Sequence, residues 1–394
     1  MPFATLVPAI DGIARQGEKA AVIAMTGNGS RVLTHAVLSR EIHRLAAGLC
    51  QRFDKGDKIA LFGADSPEWL IAALAVIRAG MAVVPLDLQA SRDHLDHMVR
   101  DSGARLIFTT TDQLERLAAL DTPTALLDVP DRDPRSFRQL ASAGQPPELK
   151  PDDQAALFYT SGTTGRPKGV PLTHANLIHQ INVITAIDLL NPNERVLLPL
   201  PLHHVYPFVI GMLLPLTLGL TLILPHTLTG PQIMRALQEG GATVMIGVPR
   251  LYDALYNAIE ARIRSRGKMA LRLFTAMLAI SIQMRQRLGS YWGRKWFAPI
   301  HRQLAPHLRL LACGGAAIAP DLAWRLEGLG WQMSIGYGLT ETAPLLTMNL
   351  PPSPRLDSVG KPLPGVAVRI DATGGEEGEI LARGPNVFKG YHRL

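Results

Sequence analysis

Residues 155–170 read Ala155-Ala156-Leu157-Phe158-Tyr159-Thr160-Ser161-Gly162-Thr163-Thr164-Gly165-Arg166-Pro167-Lys168-Gly169-Val170. An apolar strand runs into a segment, Thr160 to Gly169, that holds four hydroxyl residues, three glycines and a lysine. Glycine lets backbone N–H groups approach an anion closely, hydroxyls add donors, and lysine adds charge. The combination suits a polyphosphate, and it is far richer than a solvated turn between strand and helix requires. The order Lys168-Gly169 is not the Gly-Lys-Ser/Thr ending of a P-loop, which disfavours a motor or a GTPase. Thr173 is placed to cap a helix carrying Leu177, Ile181 and Ile184 on one face.

Working outward, Lys58–Gly63 reads as a strand. Ser66-Pro67-Glu68 then supplies a cap, a first-turn proline and an acidic first turn for a helix that Gly80 ends. Ala82–Leu86 is a second strand, followed by a helix at Arg92–Ser102 and a strand at Leu106–Thr110. Buried strands joined through helices imply a parallel sheet covered on both faces. The alternation returns with strand Leu220–Leu224, helix Pro231–Gln238, strand Thr243–Val248 and a helix from Leu251. The fold class predicted is α/β, with two doubly wound subdomains, about 1–205 and 206–343. Beyond Pro344, prolines and glycines break the chain into short segments, with strands expected at Val366–Ile370 and Glu379–Ala382. Residues 344–394 therefore read as a small β-rich subdomain.

Composition agrees with a large folded core: 394 residues, 47% hydrophobic and 19% charged. Cys50 and Cys313 stand far apart in apolar surroundings, which predicts buried thiols in a reducing cytosol. Pro8, Asp11 and Arg15 interrupt any secretory apolar run near the N-terminus, so a cytoplasmic protein is expected. Phe208–Pro225 carries no charge, but Pro215 and two glycines divide it; a buried helix, Val209–Thr217, and a core strand explain it better than a membrane span. The net charge of +7 is concentrated between residues 262 and 295, where Arg262, Arg264, Arg266, Lys268, Arg272, Arg285, Arg287, Arg294 and Lys295 interleave with large apolar residues. A solvated face of an amphipathic helix is the preferred reading and a membrane-surface helix the alternative. No nucleic-acid-binding signature accompanies the charge.

Tyr159–Gly169 resembles the signature loop of the acyl-adenylate-forming (AMP-binding) superfamily, which includes acyl-CoA synthetases, peptide-synthetase adenylation domains and luciferases. Further matches follow in that family's order. Pro201-Leu202-His203-His204 resembles its acid-site segment, Cys313-Gly314-Gly315-Ala316-Ala317 its adenine-side loop, and Gly336-Tyr337-Gly338-Leu339-Thr340-Glu341-Thr342 its second nucleotide motif. Gly378-Glu379-Ile380, Gly384-Pro385 and Gly390-Tyr391 resemble its last β segment. The resemblance implies a distorted β-barrel for the closing subdomain.

It also implies roles. Thr160, Ser161, Gly162, Thr163, Thr164, Gly165 and Lys168 would hold the phosphates of ATP, Thr340 the α-phosphate, and Glu341 Mg2+. Tyr337 offers a flat surface for adenine, with Gly315, Ala316 and Ala317 on the other side and Gly336 and Gly338 beside it. His204, Val248, Gly314 and Gly338 would surround the acyl group; His203 is the better candidate for packing or solvent. Thr160, Lys168, His204 and Glu341 form the implied catalytic set. Leu202–Phe208 carries no carboxylate to pair with a substrate amine, which implies an uncharged tail, and likeness to the long-chain branch implies a medium- or long-chain fatty acid. The thiol acceptor is CoA or an acyl carrier protein; a nucleotide-binding module without turnover is the non-enzymatic alternative. Family members continue past the position of Leu394 into a lid domain that carries a catalytic lysine. This chain is therefore expected to bind ATP weakly and to adenylate poorly by itself.

Overall fold

The computed structural model describes residues 3–160, 165–372, 375 and 377–394. Ser161, Gly162, Thr163 and Thr164 lie outside them. Among the described residues the chain forms a nine-stranded sheet, a six-stranded sheet and a two-stranded ribbon, with helices covering the two large sheets.

In the larger sheet six neighbouring strands run parallel: Gln332–Gly338, Leu310–Cys313, Val244–Gly247, Arg195–Leu197, Thr221–Leu224 and Ala20–Thr26. Antiparallel strands close both edges, Gly29–Thr34 on one side and Leu345–Asn349 with Lys361–Pro362 on the other. The smaller sheet is parallel from Thr124–Leu126 through Leu106–Thr109, Lys58–Phe62 and Ala82–Pro85 to Gln154–Thr160. The expected helices and strands thus form within a residue or two of the expected limits. Ser66 caps helix Pro67–Arg78 through the Trp69 amide, and Thr173 closes a reciprocal capping box with Asn176.

Sheet membership does not divide at residue 205. Ala20–Thr26, Gly29–Thr34 and Arg195–Leu197 all belong to the nine-stranded sheet. Strand pairing between distant segments decides this, and local periodicity does not report it. Helix Pro67–Arg78 is buried from Pro67 to Ile77. Phe208 meets Trp69 of that helix edge-on at 6.1 Å and Phe158 of the smaller sheet at 5.3 Å. The uncharged stretch Phe208–Pro225 accordingly belongs to the core. It begins as a π-helical turn, Pro207–Leu213, earlier than expected, continues as Leu214–Thr217 and returns as strand Thr221–Leu224. No helix among the described residues is long and apolar enough to cross a membrane.

The closing segment corrects the barrel expectation. Residues 345–362 extend the nine-stranded sheet, and Ala367–Asp371 pairs only with Glu379–Arg383. Prolines at 351, 352, 354, 362 and 364 remove ladder donors, so the ribbon gains no further strand with which to close. Cys313 is buried, whereas Cys50 is only partly covered, and both are free thiols; burial pushes the Cys313 thiol up to about 12.

Three fully or nearly fully buried histidines make the fold acid-sensitive. Burial depresses His35, His174 and His301 to about 4, below the ordinary 6.5. The Leu6 amide donates to His174 Nδ1 at 3.3 Å, which requires a neutral ring. Because the folded values lie below the unfolded ones, the stabilisation is complete above pH 6.5 and is lost as the pH falls toward 4. Urea midpoints measured across that window are expected to drop steeply, with proton uptake on unfolding approaching one per histidine. A flat profile would contradict this account.

Candidate functional site

In open parallel sheets ligands bind beyond the carboxyl ends of the strands, in the crevice where the connections diverge. Here Arg195–Leu197 connects outward to Thr221–Leu224 on one side, while Val244–Gly247, Leu310–Cys313 and Gln332–Gly338 follow one another in the opposite direction. The crevice therefore opens above Leu197 and Gly247. It becomes a cavity of about 780 Å3 whose lining includes Leu200, His204, Tyr206, Val248, Gly315, Gly336, Gly338 and Thr340.

The smaller sheet closes the cavity from the other side. Strand Gln154–Thr160 ends at its wall, and the chain returns as Lys168–Thr173, antiparallel, with Thr160 opposite Lys168. The returning strand was not expected; Lys168 leads into a strand paired with Gln154–Thr160 and not into a helix, which separates this strand pair physically from a P-loop. Its base is anchored on both strands. The Tyr159 hydroxyl donates to Asp101 at 2.6 Å, and the His392 amide donates to the Gly169 carbonyl at 2.8 Å. Thr160, Lys168 and Glu341 all line the same cavity.

Tyr391 joins them. Its hydroxyl donates to Glu341 Oε1 at 2.9 Å, and Lys168 Nζ stands 5.4 Å from its ring centre. In the sequence it serves only as part of the Gly390-Tyr391 match, since nothing local indicates that residue 391 reaches residues 168 and 341. Among the described residues Glu341 is the only carboxylate in the cavity lining, and no cluster of three or more metal-binding side chains occurs. One carboxylate facing an open cavity suits Mg2+, which keeps waters and shares phosphate oxygens, better than a metal needing a cage of protein ligands.

A second hollow of about 330 Å3 adjoins the cavity and is lined by Gly315, Ala316, Ala317, Tyr337, Asp357 and their neighbours. The two share Gly315, Gly336, Gly338 and Leu339, so they form one cleft with an aromatic, small-residue end. Gly315 has φ +80°, a left-handed conformation that favours glycine. At Gly338 a Cβ would stand 1.8 Å from the Pro344 carbonyl oxygen.

At the other end His204 faces the cavity, while the adjacent His203 lies 3.5 Å from Asp87 in a separate hollow with Asp65 and His226. Burial lowers both rings, His203 to about 4. His204 is thereby held as a neutral hydrogen-bonding group. Of the residues assigned to the acyl group, His204, Val248 and Gly338 line the cavity. Gly314 does not; a Cβ there would stand 3.0 Å from the Tyr206 ring. Gly165 is exposed and lines neither hollow. Tyr206, overlooked in the sequence, shares an acceptor with Tyr252: both hydroxyls donate to the Ala312 carbonyl, at 3.0 and 2.8 Å.

A family model for AMP-binding enzymes matches residues 11–392. The chain belongs to the AMP-binding enzyme family. It is 34% identical over 376 residues to a feruloyl-CoA synthase of Amycolatopsis, covering 92% of this chain and 67% of the relative. To a long-chain-fatty-acid–CoA ligase of Mycobacterium bovis it is 30% identical, covering 92% and 64%. The chain thus spans about two thirds of these relatives. Among solved structures it is similar to apo MatB from Rhodopseudomonas palustris, with a TM-score of 0.78 and 25% identity over all of this chain and 72% of that one. It also shares the fold of o-succinylbenzoate CoA synthetase from Bacillus subtilis, crystallised with its acyl-adenylate intermediate, at TM-score 0.74 and 22% identity over 98% and 71%. Among its described residues this chain combines parallel sheets and helices without a closed barrel.

Proposed function

We propose that this AMP-binding family chain holds ATP and a carboxylic acid with an uncharged tail in the cleft, as the nucleotide-binding body of an AMP-forming acid–CoA ligase. The observation that carries the proposal is the convergence of Thr160, Lys168, His204 and Glu341 on one cavity. In the reaction a carboxylate oxygen bonds to the α-phosphorus while the bond to the pyrophosphate oxygen breaks. Two anions must meet and pyrophosphate departs with added charge, so electrostatic compensation is the main requirement. Lys168 supplies a cation, Thr160 and Thr340 supply hydroxyl donors, and Glu341 would hold Mg2+, whose charge offsets that of the phosphates when bound. Neutral His204 orients the acid by hydrogen bonding. Tyr337 would lie against adenine, with Gly315, Ala316 and Ala317 opposite. The CoA ligases among the relatives favour CoA as the later thiol acceptor over a carrier protein.

For the acid, a fatty acid is the first reading, supported by the apolar lining from Leu200 to Pro207 and the fatty-acid ligase likeness. The feruloyl-CoA synthase likeness, together with the Tyr206 ring in the cavity lining, favours an aromatic acid as a second. Calorimetric titration with non-hydrolysable acyl-sulfamoyl-adenosines bearing either tail separates the two. One of them is expected to bind, and Tyr337→Ala is expected to weaken it about tenfold through lost ring contact. Failure of both analogues to bind, or indifference to the Tyr337 change, would sink the proposal.

A further inference from the structure

Helix Lys268–Leu288 is fastened to the body along one side only. Phe274, Leu278, Ser281 and Arg285 are its buried residues. The Ser281 hydroxyl donates to the Gly328 carbonyl at 2.7 Å, and Arg285 pairs with buried Glu327 at 2.5 Å. These contacts fix the helix's rotation. The opposite side carries Met269, Leu273 and Ile280 at 75%, 61% and 51% exposure, far more apolar surface than a solvated face needs. At 3.6 residues per turn Met269, Leu273, Ile280 and Arg287 fall within about 40° of one another.

The charges within this helix and the chain segments flanking it have one sign. Arg262, Arg266, Lys268 and Arg272 are exposed at one end, Arg287 and Lys295 at the other. No aspartate or glutamate stands between Glu260 and Asp321 in the sequence. Exposed Trp292, with Lys295 Nζ 5.0 Å from its ring centre, adds an amphipathic aromatic of the kind favoured at membrane interfaces. Arg262 and Arg266 also border a small dent lined by Ile259, Ile263, Ile300 and Leu304.

We infer that this face docks on an anionic lipid surface, with the helix lying in the interface plane and the apolar stripe entering the acyl boundary. Charge complementarity selects this occupant over a second copy of the chain. Two such faces brought together would set cations against cations with no carboxylate between Glu260 and Asp321 to relieve them. The inference stands apart from the proposal for the cleft, since none of these residues lines it.

The test is flotation of the 394-residue chain with vesicles of phosphatidylcholine alone and of phosphatidylcholine with phosphatidylglycerol. Binding is expected only to the anionic vesicles and is expected to weaken with added salt. Neutralising Arg272→Gln and Arg287→Gln should each reduce affinity about fivefold. Leu273→Ser with Ile280→Ser should reduce it further, while the thermal midpoint stays unchanged because both residues are exposed. No binding to anionic vesicles, or binding that ignores both pairs of substitutions, overturns the inference. So does a concentration-dependent dimer, seen by sedimentation velocity, that Leu273→Ser with Ile280→Ser dissolves.

Discussion

Gly338→Ala is expected to lower stability by about 3 kcal/mol, the upper end of what a forced methyl group costs in a packed interior, and to abolish nucleotide binding. The added Cβ would sit 1.8 Å from the Pro344 carbonyl oxygen and 2.9 Å from Leu345 Cα. Both are backbone atoms, so no rotamer change relieves the clash. The same carbonyl accepts from the Leu339 amide at 3.0 Å and from the Thr342 hydroxyl at 2.6 Å. Displacing it loosens the turn that presents Thr340 and Glu341 to the cavity. Urea denaturation and nucleotide titration of the variant read the two effects separately. Stability within about 0.5 kcal/mol of the parent, the usual range for a surface substitution, would show that the close approach is not what this glycine serves. Gly315 provides the contrast, because an added Cβ meets only Val248 at 3.4 Å and its positive φ is the obstacle to a side chain.

Lys168→Ala is expected to act on affinity and leave stability alone. The side chain is exposed at the start of the returning strand and contributes nothing to the core. A charge-assisted contact to phosphate is worth about 1.5–3 kcal/mol. Affinity for MgATP, read by calorimetry, should therefore fall between about tenfold and 150-fold. AMP serves as the control, because it lacks the β- and γ-phosphates that the loop is proposed to hold, and its affinity should barely change. Equal losses for ATP and AMP would place Lys168 elsewhere on the nucleotide, and no loss for either would remove the loop from the site.

Much of this was legible in the sequence because it is local. Strand and helix limits follow from periodicity, Ser66 and Thr173 announce their helices, and the motifs containing Thr160, Lys168, His204, Tyr337 and Glu341 mark segments that prove to share a cleft. The errors have a common origin. The strand at Lys168–Thr173 was missed because two glycines, two prolines and a lysine around it conceal a short antiparallel partner whose stability comes from pairing with Gln154–Thr160. The expected barrel reduced to a ribbon because its prolines limit pairing. Gly314 was placed at the acyl group, but the Tyr206 ring lies against it.

Residue chemistry and order alone marked a glycine- and hydroxyl-rich segment of a kind suited to an anion, an alternating α/β framework and a segment at Leu202–Phe208 without a carboxylate, since each depends on neighbours within a few positions. Tertiary structure alone decided that Tyr391 bridges toward Lys168 and Glu341, that strands before residue 205 belong to the larger sheet, and which side of helix Lys268–Leu288 faces outward. Those facts depend on which distant segments pair and pack, and no local pattern along the chain encodes the distances between them.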